Sequence, residues 1–96
     1  MGKKKPANKN NPDSLKEAGN KAFMNGKFDE AIKNYTMAIE LTKDKPNHIY
    51  FANRANAYLE MGGHEEECII DCNKSIEIDS NYSKAYHRKA KALFRK

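Results

Sequence analysis

The sequence predicts an all-α chain of helix pairs in tandem, and three observations carry that prediction. First, the chain repeats itself. GNKAFMNGKFDEAIKNYTMAIEL (19–41) lies over ANAYLEMGGHEEECIIDCNKSIEI (55–78), and a third copy opens with NYSKAYHRKAKALF (81–94). Gly19, Ala55 and Ala90 are equivalent small positions, 36 and then 35 residues apart, a period that suits paired helices and not strands. Second, apolar residues within each copy recur at helical spacing. Third, a chain of 96 residues with 5 Gly, 3 Pro and 32% charged residues has room for one small domain with long solvated helix faces.

The first helix is expected at about 13–25. Ser14 and Glu17 stand at capping-box spacing after Pro12 and Asp13, and Leu15, Ala18, Gly19, Ala22 and Phe23 form one stripe. Gly26 closes it, because a left-handed residue costs least when it is glycine. The second helix, about 28–42, carries Ala31, Ile32, Tyr35, Ala38 and Ile39; Pro46 then disfavours helix just before it. The third, about 47–61, presents Phe51, Ala55 and Tyr58 and stops at Gly62-Gly63. Ile69, Cys72 and Ile78 mark the fourth, about 65–78. The fifth, about 82–95, is capped from Asp79-Ser80-Asn81 and carries a stripe of Tyr86, Ala90 and Leu93.

Small residues at Gly19, Ala31 and Ala38 let paired helices approach, while Phe28, Tyr35, Tyr58 and Tyr86 fill the space between pairs. One pair cannot bury its stripe alone, so neighbours must stack. The expected organisation is a disordered basic leader at 1–12 and an ordered domain at 13–96. Within the domain, repeats lie at about 13–46 and 47–81, with a partial third at 82–96.

The net charge of +5 comes mostly from the leader. Lys3, Lys4, Lys5 and Lys9 precede the first acid, and from residue 13 onward 14 Lys and Arg face 13 Asp and Glu. The leader has no Arg and no aromatic residue, so it reads as a solvated segment and nucleic-acid binding is not expected. Its lysines also make a weak nuclear-import signal. No apolar run approaches the roughly 18 residues of a membrane span, and no apolar segment follows the basic start as in a signal peptide. His64, Cys68 and Cys72 sit at i, i+4 and i+8, but structural zinc usually takes four ligands at tighter spacings. The two cysteines therefore read as buried apolar residues in a reducing compartment, with no metal and no cofactor expected. No nucleophile–base set, paired-carboxylate site or phosphate loop is legible, and GGHEEE is a charged turn, so no enzyme activity is expected.

The small residue and glycine at Ala18-Gly19, then Gly26, Phe28, Ala31, Tyr35 and Ala38, with their echoes in the later copies, resemble the tetratricopeptide repeat family over residues 13–96. The chain departs from the family at the end of each repeat, where Lys43 and Ser80 replace a usual proline, and at Cys68, which replaces an alanine. The resemblance implies a right-handed α-solenoid of two repeats plus the first helix of a third. It also implies that the first helix of each repeat lines a concave groove.

LKEAGN, ANRA and SKAYHRKA further resemble the Hsp-organising co-chaperones of that family. The resemblance implies that Lys16, Asn20, Asn53, Lys84 and Arg88 clamp the two carboxylates of a C-terminal aspartate. The ligand would be the Glu-Glu-Val-Asp tail of heat-shock protein 90, heat-shock protein 70 or both, in the cytoplasm. Ala52, Asn56 and His87 are the candidates for touching the peptide upstream of that aspartate.

The residue types suit the task. Lys16 and Lys84 supply compact charges, Arg88 a planar fork, and the two asparagines donors that add no repulsion. The alternative is a scaffold of the same fold that grips another acidic or helical segment. A third repeat without its second helix would leave Tyr86, Leu93 and Phe94 uncovered, with weak self-association through the last helix as the expected consequence.

Overall fold

The computed structural model describes residues 8–96; the expected leader falls for the most part on residues outside that range. Five helices follow one another, with no strand among the described residues: α1 (Pro12–Met24), α2 (Phe28–Leu41), α3 (His48–Met61), α4 (Glu65–Ile78) and α5 (Ser83–Arg95). Every boundary lies within one residue of the sequence reading. The cap of α1 differs: Asn11, not Ser14, is the N-cap, and its side chain accepts from the Ser14 backbone N–H at 3.1 Å. The Ser14 hydroxyl instead accepts from the Asn8 N–H at 2.9 Å, which folds residues 8–11 onto the helix start. Pro12 occupies the first helical turn, where a missing N–H costs nothing.

The α1–α2 turn depends on Gly26, whose φ of +76° a side chain would strain. It lets the Lys27 N–H reach back to the Ala22 carbonyl at 2.8 Å and close the helix end. No side chain caps α5. Asp79 accepts from the Asn81 N–H in the preceding turn, and Tyr82 holds the N-cap position.

Consecutive helices pack on one another, and α3 also meets both α1 and α5, whereas α2 and α4 do not touch. Closer approach on one side than on the other curves the array, so the odd-numbered helices line its inner face. The core runs in three clusters between the layers. Leu15, Ala38 and Tyr50 form the first, Ala22, Ala31, Tyr35 and Ala57 the second, and Ala55, Leu59, Cys68, Cys72 and Ala92 the third. Fully buried Leu15 and Leu59 each contribute about 2 kcal/mol by area. The neighbouring Cys68 thiol and then burial push the Cys72 thiol up, so it packs as a neutral group.

An ion pair holds the outer side. Arg54 of α3 donates to both carboxylate oxygens of Asp71 on α4, at 2.7 and 2.9 Å, and to the Thr36 hydroxyl on α2 at 3.0 Å. One guanidinium thus joins the two helices that do not meet. Asp71 is only 3% exposed; burial raises its carboxyl, and the two Arg54 bonds oppose that shift.

Tyr86, Leu93 and Phe94 are exposed, as expected of a last helix without a partner, and Phe94 is 92% exposed; Ala90 faces out with them, while Ala85 and Ala92 are buried. Small residues let α5 lie close to α3 and α4, and the larger apolar side chains remain on the open side. Tyr86 is not a filler between pairs, since its hydroxyl donates to the Ser80 carbonyl at 2.8 Å.

Two outcomes follow from this packing. Asp71→Ala should cost about 3–5 kcal/mol in urea unfolding because it strands the Arg54 charge. Arg54→Met with Asp71→Leu should recover most of that loss. A single variant costing less than about 1 kcal/mol would show that Arg54 escapes to solvent. Weak self-association through the α5 stripe is the second expectation, and its salt dependence is fixed by charge. No acid occurs from Ser80 to Lys96, so pairing two stripes opposes Lys84, Lys89 and Lys91 to their own copies. Sedimentation should show association that grows with salt and disappears in Phe94→Ser; association that salt weakens would implicate another face.

Candidate functional site

The inner face collects side chains from all three odd-numbered helices. Lys16 and Asn20 stand at i and i+4 on α1, so they share a side of the helix. Lys16 is half-buried, with its ammonium 3.9 Å from the Asp13 carboxylate. Asp13 in turn accepts from the Tyr50 hydroxyl of α3 at 2.7 Å, which ties the start of α1 to α3.

Asn20 makes two contacts, one with the buried Tyr35 and one with Asn53 on the same face. Its Oδ1 accepts from the Tyr35 hydroxyl of α2 at 2.5 Å and from Nδ2 of Asn53 on α3 at 3.4 Å. Tyr35 is 2% exposed, and burial pushes its phenol up to about 12, opposed by the charge of Arg88. The ring reaches Asn20 because Gly19 has no side chain: a Cβ there would lie 2.5 Å from Tyr35 Cε1.

Arg88 of α5 spans to α3, where its Nη1 donates to the Ala52 carbonyl at 2.9 Å. About two helical turns further along, Arg95 donates to the Leu59 carbonyl at 3.1 Å. These two bonds, 7 residues apart on both helices, fix the register of α5 against α3. Arg88 keeps four N–H donors for other partners. Lys84 lies one turn before it, and Ser83, Lys84, His87 and Arg88 line one open depression.

The structure therefore links Asn20 to Tyr35 and Asn53, and separately Arg88 to the Ala52 carbonyl, with Lys16 and Lys84 each a turn away on the helices of Asn20 and Arg88. The expectation for Ala52 needs correction. Its side chain is wholly buried, so it has no surface to offer a ligand; its carbonyl instead anchors Arg88. Asn56 is half-buried on α3, and exposed His87 sits on the rim between the depression and the α5 stripe. Sequence reasoning assigned Tyr35 to packing alone. The signal it passed over is the hydroxyl, since phenylalanine would fill the same space.

Three cations with two amides, and no described acid beyond Asp13 in contact with them, make a face suited to a compact anion with two negative groups. Planar Arg88 matches a carboxylate, while the lysines act as point charges.

Comparison with known proteins places this geometry. Residues 19–62 match the TPR repeat family. The heat shock protein sti1 homolog of Schizosaccharomyces pombe is 51% identical over 87 residues, covering 86% of this chain and 14% of that protein. The chain thus spans a small part of the length of that curated relative. Among solved structures, the first TPR of Spaghetti (RPAP3) bound to the HSP90 peptide SRMEEVD superposes with a TM-score of 0.81 at 37% identity, over 88% of this chain and 66% of that one. The second TPR domain of human RPAP3, in complex with the HSP70 peptide SGPTIEEVD, gives a TM-score of 0.73 at 36% identity, over 85% and 69%.

Proposed function

Because the chain belongs to the tetratricopeptide repeat family, we propose that its inner face is a two-carboxylate clamp for an acidic C-terminal peptide. The ligand is the Glu-Glu-Val-Asp tail of heat-shock protein 90 or heat-shock protein 70, and the chain acts as a co-chaperone's interaction module in the cytoplasm. The observation that supports this reading is that α3 bonds to both neighbours at successive residues, Asn53 to Asn20 of α1 and the Ala52 carbonyl to Arg88 of α5. The peptides in the two solved relatives end in the same four residues.

Each residue has a part that its chemistry dictates. Arg88, held at one nitrogen by Ala52, presents the rest of its fork to a carboxylate oxygen pair. Lys84 adds a second charge one turn away, and Lys16 closes the site from α1. Asn20 and Asn53 donate amide hydrogens to the terminal carboxylate or the last peptide bond. His87 and Asn56 border the path of the preceding residues. The module holds its ligand and performs no chemistry on it.

Charge-assisted hydrogen bonds contribute about 1.5–3 kcal/mol each. Several of them, less the cost of ordering an extended peptide, give roughly micromolar affinity, near −8 kcal/mol. Added salt should weaken binding, since the charges lie at the surface.

Calorimetric titration with a peptide ending Met-Glu-Glu-Val-Asp, as free acid and as C-terminal amide, tests the reading. Roughly micromolar binding of the acid is expected, with at least about tenfold loss for the amide and for Lys84→Ala with Arg88→Ala. Equal binding of acid and amide would show that the groove grips an acidic segment without its chain end, and would sink the clamp.

A further inference from the structure

An asparagine amide has an acceptor end and a donor end, and only the donor end serves an anion. Which end of Asn20 faces the groove is decided behind it. Its Oδ1 accepts two hydrogen bonds, one from the buried Tyr35 Oη and one from Nδ2 of Asn53 beside it. Turning the amide over would set the Nδ2 of Asn20 against the Nδ2 of Asn53, donor against donor. With its phenol pushed up to about 12, Tyr35 remains a donor throughout the working pH range.

Resting on the clamp reading, we infer that Tyr35 is a positioning residue of the anion site: its buried hydroxyl holds the Asn20 amide with both N–H bonds toward the ligand. Tyr35 is too deeply buried to meet a peptide, so it acts entirely through Asn20. Gly19 is part of the same device. Only a residue without Cβ lets the ring lie across α1 and bring its hydroxyl to the next residue along the helix. A tyrosine at this position thus does two jobs, the ring serving the core with Ala22, Ala31 and Ala57, and the hydroxyl serving the site. The arrangement lowers the cost of binding, because the amide is already turned the right way before the ligand arrives.

The test is a double-mutant cycle on the full chain, using Tyr35→Phe, Asn20→Ala and both together. Each is titrated with the free-acid peptide ending Met-Glu-Glu-Val-Asp. Tyr35→Phe keeps the ring volume, and a thermal melt checks that it folds. It should weaken binding about fivefold, the worth of one net hydrogen bond. In the Asn20→Ala background the same substitution should change affinity by less than about twofold, because the group it positions is gone. Equal weakening in both backgrounds would reduce Tyr35 to a packing residue and overturn the inference, as would unchanged binding by Tyr35→Phe. Wild-type protein that fails to bind the acid at all would instead refute the clamp, and this inference with it.

Discussion

The ring of Tyr35 lies against α1 at Gly19, closer than any side chain there would permit, and both the packing and the site rest on that contact. It sets the distance between α1 and α2, closes the cluster with Ala22, Ala31 and Ala57, and delivers a hydroxyl to the back of Asn20. A small residue on one helix facing an aromatic on its partner is ordinary close packing. Here the aromatic carries a polar tip, and a buried polar tip must find a partner. The partner available is a side chain on the inner face, so an obligation of the core becomes an orientation at the surface.

The same economy holds across the array. Arg88 and Arg95 satisfy part of their donor capacity on backbone carbonyls of α3 and so fix α5 in place, yet Arg88 remains a free cation on its other edge. On the opposite side, Arg54 satisfies Asp71 and Thr36 at once and keeps α2 and α4 apart but tied. The inner face is thereby set by α3: its Ala52 carbonyl receives α5, its Tyr50 hydroxyl receives the start of α1, and its Asn53 meets Asn20. Displacing the middle helix would move every element of the site.

Much of this was legible in the sequence because the chain repeats. Two copies in register fixed the helix pairs, and glycine and proline punctuation placed each boundary within a residue. The inner-face residues, by contrast, came from resemblance: spacing alone puts Lys84 and Arg88 on one side of a helix but cannot say which side faces the groove. The uncovered Tyr86, Leu93 and Phe94 of the fifth helix were legible too, but periodicity did not single out Ala85 and Ala92 as the residues that bury. Close packing chose the alanines. Ala52 was misread because its place beside Asn53 says nothing of how deeply its own side chain is buried. Two features had no local signal: Arg54 and Asp71 are 17 residues apart, and the use of the Tyr35 hydroxyl depends on a partner 15 residues away.

The central claim is that an acidic chain end sits on the face shared by α1, α3 and α5. Side-chain amide spectra of isotope-labelled protein during titration with the free-acid peptide test it directly. The account predicts saturable shifts at the Asn20 and Asn53 amides, together with the backbone amides around Lys84 and Arg88. Saturable shifts confined to α2 and α4, with both asparagine amides unmoved, would contradict it.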